Sequence, residues 1–427
     1  IVDLVISLPG VDQVVVLLNG GNDPATGDWL GFSGGSISET VGSIPLGLAL
    51  GDVEGDSAID IVVACNGDDT AWVLENQMIS SGYFIGSPYA VGTHIPPELG
   101  DVKAEPVDVA IGNFVDGGGN DIAVVNVGDG TLIILGSTGL RSNPFGGGDP
   151  IYVGLGGTSV DPSDVNDTKD LDTVIVSSIS EGRVAVVKGS AGLRGYDSIE
   201  YYDVGNSPYE VAIGDLNGDS LADIVTADYD DGTISVLIQN VDGTYQGAAA
   251  ILVGDSSDSP HPRSIALGDY DVDGDLDVAV VVIESTDIVI RTLRNDSFAG
   301  TLILTIDADY GSGTDPTLVR SADVNNDTST DIVSIVGAVS AFRDITNPEA
   351  AGFISNYIPP EVIKNDFCIN AIPIFEGVTP FSTINATTDA PPEADNCKFG
   401  APSNDIWYTF TPDCSGTLTI STCDTID

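Results

Sequence analysis

Residues 212–227 read AIGDLNGDSLADIVTA, and residues 266–281 read ALGDYDVDGDLDVAVV. Each phrase is a short apolar segment, a loop of Asp, Asn and Gly, and a second apolar segment that opens on Asp. Short runs rich in Val and Ile, punctuated by Gly and Asp, signal strand–turn–strand rather than helix. The phrase returns as ALGDVEGDSAIDIVVA at 49–64, AIGNFVDGGGNDIAVV at 110–125 and SADVNNDTSTDIVSIV at 321–336. A shorter copy, SDVNDTKDLDTVIV, lies at 163–176, and the chain opens on the tail of another, IVDLVIS at 1–7.

The Asp that precedes each second strand falls at Asp3, Asp60, Asp121, Asp172, Asp223, Asp277 and Asp331, at intervals of 51 to 61 residues. Self-similarity at such a period marks a propeller or an array. A third strand follows each mark, as in VDQVVVLLN at 11–19, GTLIILG at 130–136 and GTISVLIQN at 232–240. A fourth usually comes next, as in IYVG at 151–154 and YYDVG at 201–205. Four short strands in seven repeats predict an all-β chain whose residues 1–346 form a seven-bladed β-propeller rather than an open solenoid. The first strand of the pattern occurs six times, and its missing copy is expected before Ile1.

Composition agrees. Of 427 residues, 65 are acidic and 13 are Lys or Arg, a formal net charge of −52. Asp outnumbers Glu by 52 to 13, and Gly reaches 51, which favours turns over helices. Hydrophobic content of 42% and a mean hydropathy of +0.18 supply a large core despite the charge. So few basic residues cannot neutralise a run of phosphates, which excludes nucleic acid. Anionic membrane surfaces are excluded likewise, and no apolar run is long enough to span a bilayer. Cations are the natural partners.

The loops carry acidic or amide side chains at positions 1, 3, 5 and 9. These are Asp52, Glu54, Asp56 and Asp60; Asp215, Asn217, Asp219 and Asp223; Asp269, Asp271, Asp273 and Asp277; and Asp323, Asn325, Asp327 and Asp331. Alternate residues of a tight loop turn oxygens to one point, which is how Ca²⁺ collects its six to eight ligands. A softer metal would call for His or Cys. In the fourth repeat Asp164, Asn166 and Asp172 survive but Thr168 replaces the central carboxylate. The third repeat offers Asn113, Val115 and Gly117 before Asp121, too few oxygens. Four good Ca²⁺ sites, one weak and one lost are expected, the all-Asp loop being the most fully occupied.

The G-D-x-N-G-D-x-x-x-D-I-V pattern resembles the FG-GAP/VCBS repeat of integrin-α-like propellers over residues 1–346. That resemblance implies that the loop joins the first and second strands of a blade and binds Ca²⁺ on one face. It extends to the four complete loops and fails at Asn113–Asp121. The functions of that family range over adhesion, glycan binding, scaffolding and propellers appended to enzymes, so fold leaves function open.

Past Asn347 the repeat stops, and residues 347–364, with Pro348, Pro359 and Pro360, read as a linker. Residues 365–427 include NDFCINAIPIFEGVTP and DIWYTFTPDCSGTLTISTC. The Asp-Ile-Trp-Tyr-x-Phe signature and the Cys-Ser-Gly-Thr-Leu-Thr strand resemble a β-sandwich module of secreted bacterial proteins, similar to pre-peptidase C-terminal domains. The module is expected to be partial. Cys368, Cys397, Cys414 and Cys423 favour disulfides over zinc, and hence an extracellular or cell-surface setting on a bacterium. Three connectivities are open, and sequence proximity prefers Cys368–Cys397 with Cys414–Cys423. Cys65, alone in an apolar run, reads as a core residue.

No catalytic constellation can be placed. His94 and His261 lie beside Pro in inter-strand loops, and carboxylates are too numerous for any pair to stand out as a glycosidase dyad. The expectation is a non-catalytic, Ca²⁺-stabilised extracellular propeller for surface adhesion or for matrix or filament structure, self-associating or binding surface glycans. The alternatives are a glycan-binding module or the accessory part of a secreted polysaccharide hydrolase or lyase.

Overall fold

The computed structural model describes residues 3–26, 29–77, 84–92, 103–115, 119–137, 145–147, 149–163, 173–189, 196–254, 260–285, 287–297, 301–311, 316–336, 339–343, 372–373 and 408–409. The chain divides into two compact units, Ile1–Ile354 and Ser355–Asp427. All described regular elements are strands. No helix among these residues is long and apolar enough to cross a membrane.

In the first unit the described strands form seven antiparallel sheets, built in chain order. Four are four-stranded meanders, for example Pro208–Gly214, Asp223–Asp228, Thr233–Leu237 and Ala249–Leu252. The third sheet has five strands, and the first and last have three each. Its additional strand, Phe145–Gly147, pairs with Thr131–Ser137 and was not apparent from sequence, since Phe-Gly-Gly carries no β-branched residue. The opening strands of the second to seventh sheets are Pro45–Gly51, Pro106–Gly112, Gly157–Ser163, Pro208–Gly214, His261–Gly268 and Pro316–Ala322. Each has a register shift near its start, as between Pro106 and Asp108. Five of the six carry Pro at or beside that point, where a missing N–H costs no ladder bond.

The second strands read as unbroken apolar runs because both of their faces are covered. All six residues of Asp60–Cys65 are buried, as are those of Asp121–Asn126 and Asp223–Asp228. The outer strands are more exposed, and Ser36–Thr40 alternates, with one face in water. A core cluster joins every consecutive pair of sheets; Val125 and Leu132 of the third, for instance, pack with Val160 and Val176 of the fourth. One further cluster joins the last sheet to the first, with Val324 and Val333 against Leu4, Trp29 and Phe32. Cys65 is a buried core residue, as its setting suggested, and burial pushes its thiol up to about 12.

In four of the repeats a carboxylate fastens the repeat internally. Asp121 accepts the N–H groups of Phe114 (2.8 Å) and Val115 (2.6 Å) on one oxygen and that of Ser137 (2.6 Å) on the other. Asp60 does the same for Val53 and Asn76, Asp223 for Leu216 and Gln239, and Asp277 for Tyr270 and Asn295. The loop, the second strand and the end of the third strand are thereby held by one side chain. Repeats are also joined to each other. Asn295 Nδ2 donates to the carbonyl of Leu216 in the preceding loop (2.9 Å), and Asn19 Nδ2 donates to that of Val324 in the last loop (2.6 Å).

The second unit is described only at Ile372–Pro373 and Tyr408–Thr409, which pair as parallel strands. The proposed sandwich, its four cysteines, the linker and His94 otherwise lie outside the described residues.

Asp121→Ala would leave three backbone N–H groups without their acceptor. At about 1–3 kcal/mol for each buried unsatisfied group, a loss of roughly 3 kcal/mol or more is expected in urea unfolding. A second prediction concerns pH. Asp228 is buried among Thr226, Thr233 and Ser235, and burial pushes its carboxyl up to about 6 against their hydrogen bonds. A raised carboxyl pKa means that the folded state binds the proton more tightly than the unfolded one. Its contribution is therefore complete below about pH 4 and lost as pH rises through about 6. In chelator, the melting temperature should fall between pH 5 and pH 7.5, and Asp228→Asn should fall less steeply than wild type.

Candidate metal centre

The four complete loops share one backbone. Positions 4 and 6 are left-handed in all of them: Gly55 and Ser57, Gly218 and Ser220, Val272 and Gly274, Asn326 and Thr328. Two left-handed residues within three reverse the chain sharply enough to turn positions 1, 3 and 5 to one side. Position 2 points the other way, into the core, where Val53, Leu216, Tyr270 and Val324 are buried. The first carboxylate organises the turn. Asp52 accepts the N–H groups of Gly55, Asp56 and Ser57; Asp215 accepts those of Gly218, Asp219 and Ser220. Asp269 and Asp323 make the corresponding bonds in their loops. At Asp52, burial pushes the carboxyl up, but the N–H donors led by Ser57 outweigh it and hold the group below its usual value.

Position 3 separates the loops into two kinds. Asn217 and Asn325 each donate from Nδ2 to the position-5 carboxylate, Asp219 and Asp327, at 3.1 Å. Each also accepts the position-5 N–H at 2.9 Å. An amide there neutralises part of the local repulsion. In the other two loops position 3 is itself acidic. Glu54 is pushed up to about 7 by burial, then by the charges and hydrogen bonding of Glu75 and Asp56. Asp271 is raised by burial and by the neighbouring Asp273. Like charges held this close favour a bound cation.

The structure brings Asp269, Asp271 and Asp273 together, with a ligand oxygen from each lying within 4.8 Å of the others. Among the described residues this is the one such group of three acidic, His or Cys side chains. The donor set is all carboxylate oxygen, which fits a hard cation such as Ca²⁺. The position-9 residues stand differently. Asp60, Asp223 and Asp277 are buried, and both oxygens of each already accept backbone N–H groups. Asp121 makes the same bonds in a repeat that carries Val115 where the complete loops have an acidic or amide residue, so this fastening does not require a complete loop. Burial is the leading cause that raises the carboxyls of Asp60, Asp277 and Asp223, the last to about 6. In the third repeat Phe114 and Val115 fill the loop as buried apolar residues. Asp164, Asn166 and Asp172 lie outside the described residues.

The FG-GAP-like repeat family matches residues 215–280, which span two of these loops. No curated protein sequence matches the chain. Among solved structures, a functionally unknown protein from Desulfotomaculum acetoxidans superposes with a TM-score of 0.55 at 13% identity, over 82% of this chain and 95% of that one. A protein from Lactobacillus plantarum gives 0.52 at 13% identity, over 80% and 90%. The repeat and these likenesses support a propeller-like fold. At such identities they carry no chemistry.

Sequence spacing found the loops but not the second role of position 9, because a metal ligand and a backbone fastener look alike as a lone Asp. The signal was the third repeat, which has Val115 at position 3 and keeps Asp121.

Val272 carries the strain of the all-Asp loop. It sits at φ 62° and is 60% exposed, so it has a left-handed backbone with little packing in return. The same position is Gly55, Gly218 or Asn326 in the other loops. Removing the Cβ should relieve about 1 kcal/mol. Val272→Gly is expected to melt higher than wild type in chelator, and an equal or lower melting temperature would show that the strain is absorbed elsewhere.

Proposed function

We propose that residues 1–346 form a closed seven-bladed propeller, stabilised by Ca²⁺ in its first-to-second-strand loops, that serves outside the cell as a non-catalytic adhesive or structural module. The convergence of Asp269, Asp271 and Asp273 carries the metal reading. Closure is supported by the core cluster between the last and first sheets. It is also supported by the Asn19–Val324 bond, which repeats the geometry of Asn295–Leu216 between chain neighbours. The metal ligands are positions 1, 3 and 5 of each complete loop, with the position-9 carboxylates as a rigid floor. Millimolar Ca²⁺ is available outside cells, which suits loops of this kind.

The non-catalytic reading is supported by how the reactive groups are engaged. His261 stacks on Tyr229 with ring centroids 4.6 Å apart, and its Nδ1 lies 2.8 Å from the Tyr229 carbonyl oxygen. The Cys65 thiol is buried and protonated. A glycan-binding role has one specific observation in its favour: Tyr209, Tyr229 and His261 form a run of half-buried rings, the first pair tilted by 40° and the second stacked, next in sequence to Asp230 and Asp231. A glycan array would separate it from a purely structural role.

Each occupied site stabilises by about 2.7 kcal/mol when free Ca²⁺ exceeds its dissociation constant a hundredfold. EDTA should therefore lower the melting temperature substantially, and an unchanged melt would remove Ca²⁺ from the reading. In calorimetric titration Asp271→Ala should lose one site, whereas Asn113→Ala should retain the wild-type stoichiometry.

A further inference from the structure

The opening strands of the second to seventh sheets wall a central cavity of about 410 Å³. Aligning those strands on their loops places Ala49, Ala110, Ala212 and Ala266 at one equivalent wall position. The remaining two strands carry Asp161 and Arg320 there. Small apolar side chains thus share the cavity with two opposite charges at equivalent positions, and Asp108 and Glu210 line it beside them, the mixture of apolar wall and converging polar groups that small-molecule sites use.

The charges in this region are only partly satisfied by one another. Arg320 Nη1 donates to Glu210 Oε1 and to the carbonyl of Val319, both at 2.7 Å. Its Nε and Nη2 have no protein acceptor among the described residues, and the side chain is 53% exposed, towards the cavity. Glu210 Oε2 accepts the Ile265 N–H at 2.9 Å. Asp108 accepts the N–H groups of Val109 and Val160 at 3.0 Å, and Asp161 accepts that of Ile213. Three carboxyls thus face one guanidinium. Burial pushes Asp108 up to about 6 and, with the charge of Asp108 added, Asp161 up to about 7. Groups raised in this way gain from a cation placed beside them.

We propose that the central cavity binds a small basic zwitterion of the amino-acid class, its carboxylate on the open edge of Arg320 and its ammonium groups against Asp108 and Asp161. A divalent metal fits poorly, because the guanidinium of Arg320 stands among the three carboxyls and each of them already accepts a backbone N–H group. A simple anion is opposed by the excess of carboxyls. The volume accommodates such a molecule with its alkyl chain along Ala110, Ala212 and Ile213.

The test is isothermal titration of the full chain, held in saturating Ca²⁺, with L-lysine, 1,5-diaminopentane and hexanoate. L-lysine is expected to bind one per chain and more tightly than either fragment. Arg320→Gln should weaken L-lysine about tenfold or more, the scale of one charge-assisted hydrogen bond, and leave the diamine unchanged. Asp161→Asn, which keeps an acceptor for the Ile213 N–H, should weaken both ammonium compounds. Ala212→Leu, which alters no charge, should abolish binding by filling the cavity. No binding of L-lysine, tighter binding of hexanoate, or L-lysine affinity indifferent to Arg320→Gln and Asp161→Asn would overturn the proposal. Calcium stoichiometry measured on the same samples keeps this result separate from that of the loops.

Discussion

A buried Asp that accepts backbone N–H groups from two directions is the constraint on which the repeats of Asp60, Asp121, Asp223 and Asp277 depend. Two oxygens on a short side chain reach both the loop and the end of the third strand while the carboxylate stays beneath the sheet surface. Asn would offer one acceptor in place of two, and Glu would need another methylene in a space closed by Val53, Leu216 or Phe114. The excess of Asp over Glu in the composition follows in part from this geometry. Because the fastener sits at the start of the second strand, it also fixes which residues enter the interface with the next sheet. The alternate apolar residues of the second and third strands then have defined partners on either side.

Much of this was legible because the repeat is local. The period, the loop spacing and the unbroken apolar second strands, such as Ile61–Cys65, all lie within a few residues of one another in sequence. What escaped lies at the wrong range or uses uninformative residues. Phe145–Gly147 pairs as a strand through its backbone alone. The contacts of Arg320 with Glu210 join sheets two repeats apart, and no local spacing encodes them. A trace was nonetheless present: once the repeats are aligned, Asp161 and Arg320 stand out against four alanines. The position-9 carboxylates were legible as important, but their bonds to the backbone N–H groups were not, because a lone Asp in sequence does not reveal what its oxygens accept.

The loops show how a single substitution changes what a turn requires. With Asn at position 3, as in Asn217 and Asn325, the side-chain amide donates to the next carboxylate and the turn is largely satisfied by its own atoms. With Asp271 or Glu54 that donor becomes another acceptor, and the same backbone holds mutually repelling groups. Identical folds of the main chain therefore differ in their demand for positive charge, set by one nitrogen or oxygen.

The hydrogen bond from Asn19 to Val324 has a kinetic meaning beyond its contribution to stability. It joins residues 305 positions apart, whereas the equivalent bond from Asn295 spans 79. Bringing together the ends of a chain of that length costs about 5 kcal/mol of loop-closure entropy if nothing between them is ordered. The cost falls only once the intervening sheets have stacked and carried the first and last sheets into reach. The Val324–Leu4–Trp29 contact is thus the natural final step of assembly. Until it forms, two apolar sheet faces stand open to any other nascent copy, so the slow, concentration-sensitive part of folding resides at this one seam.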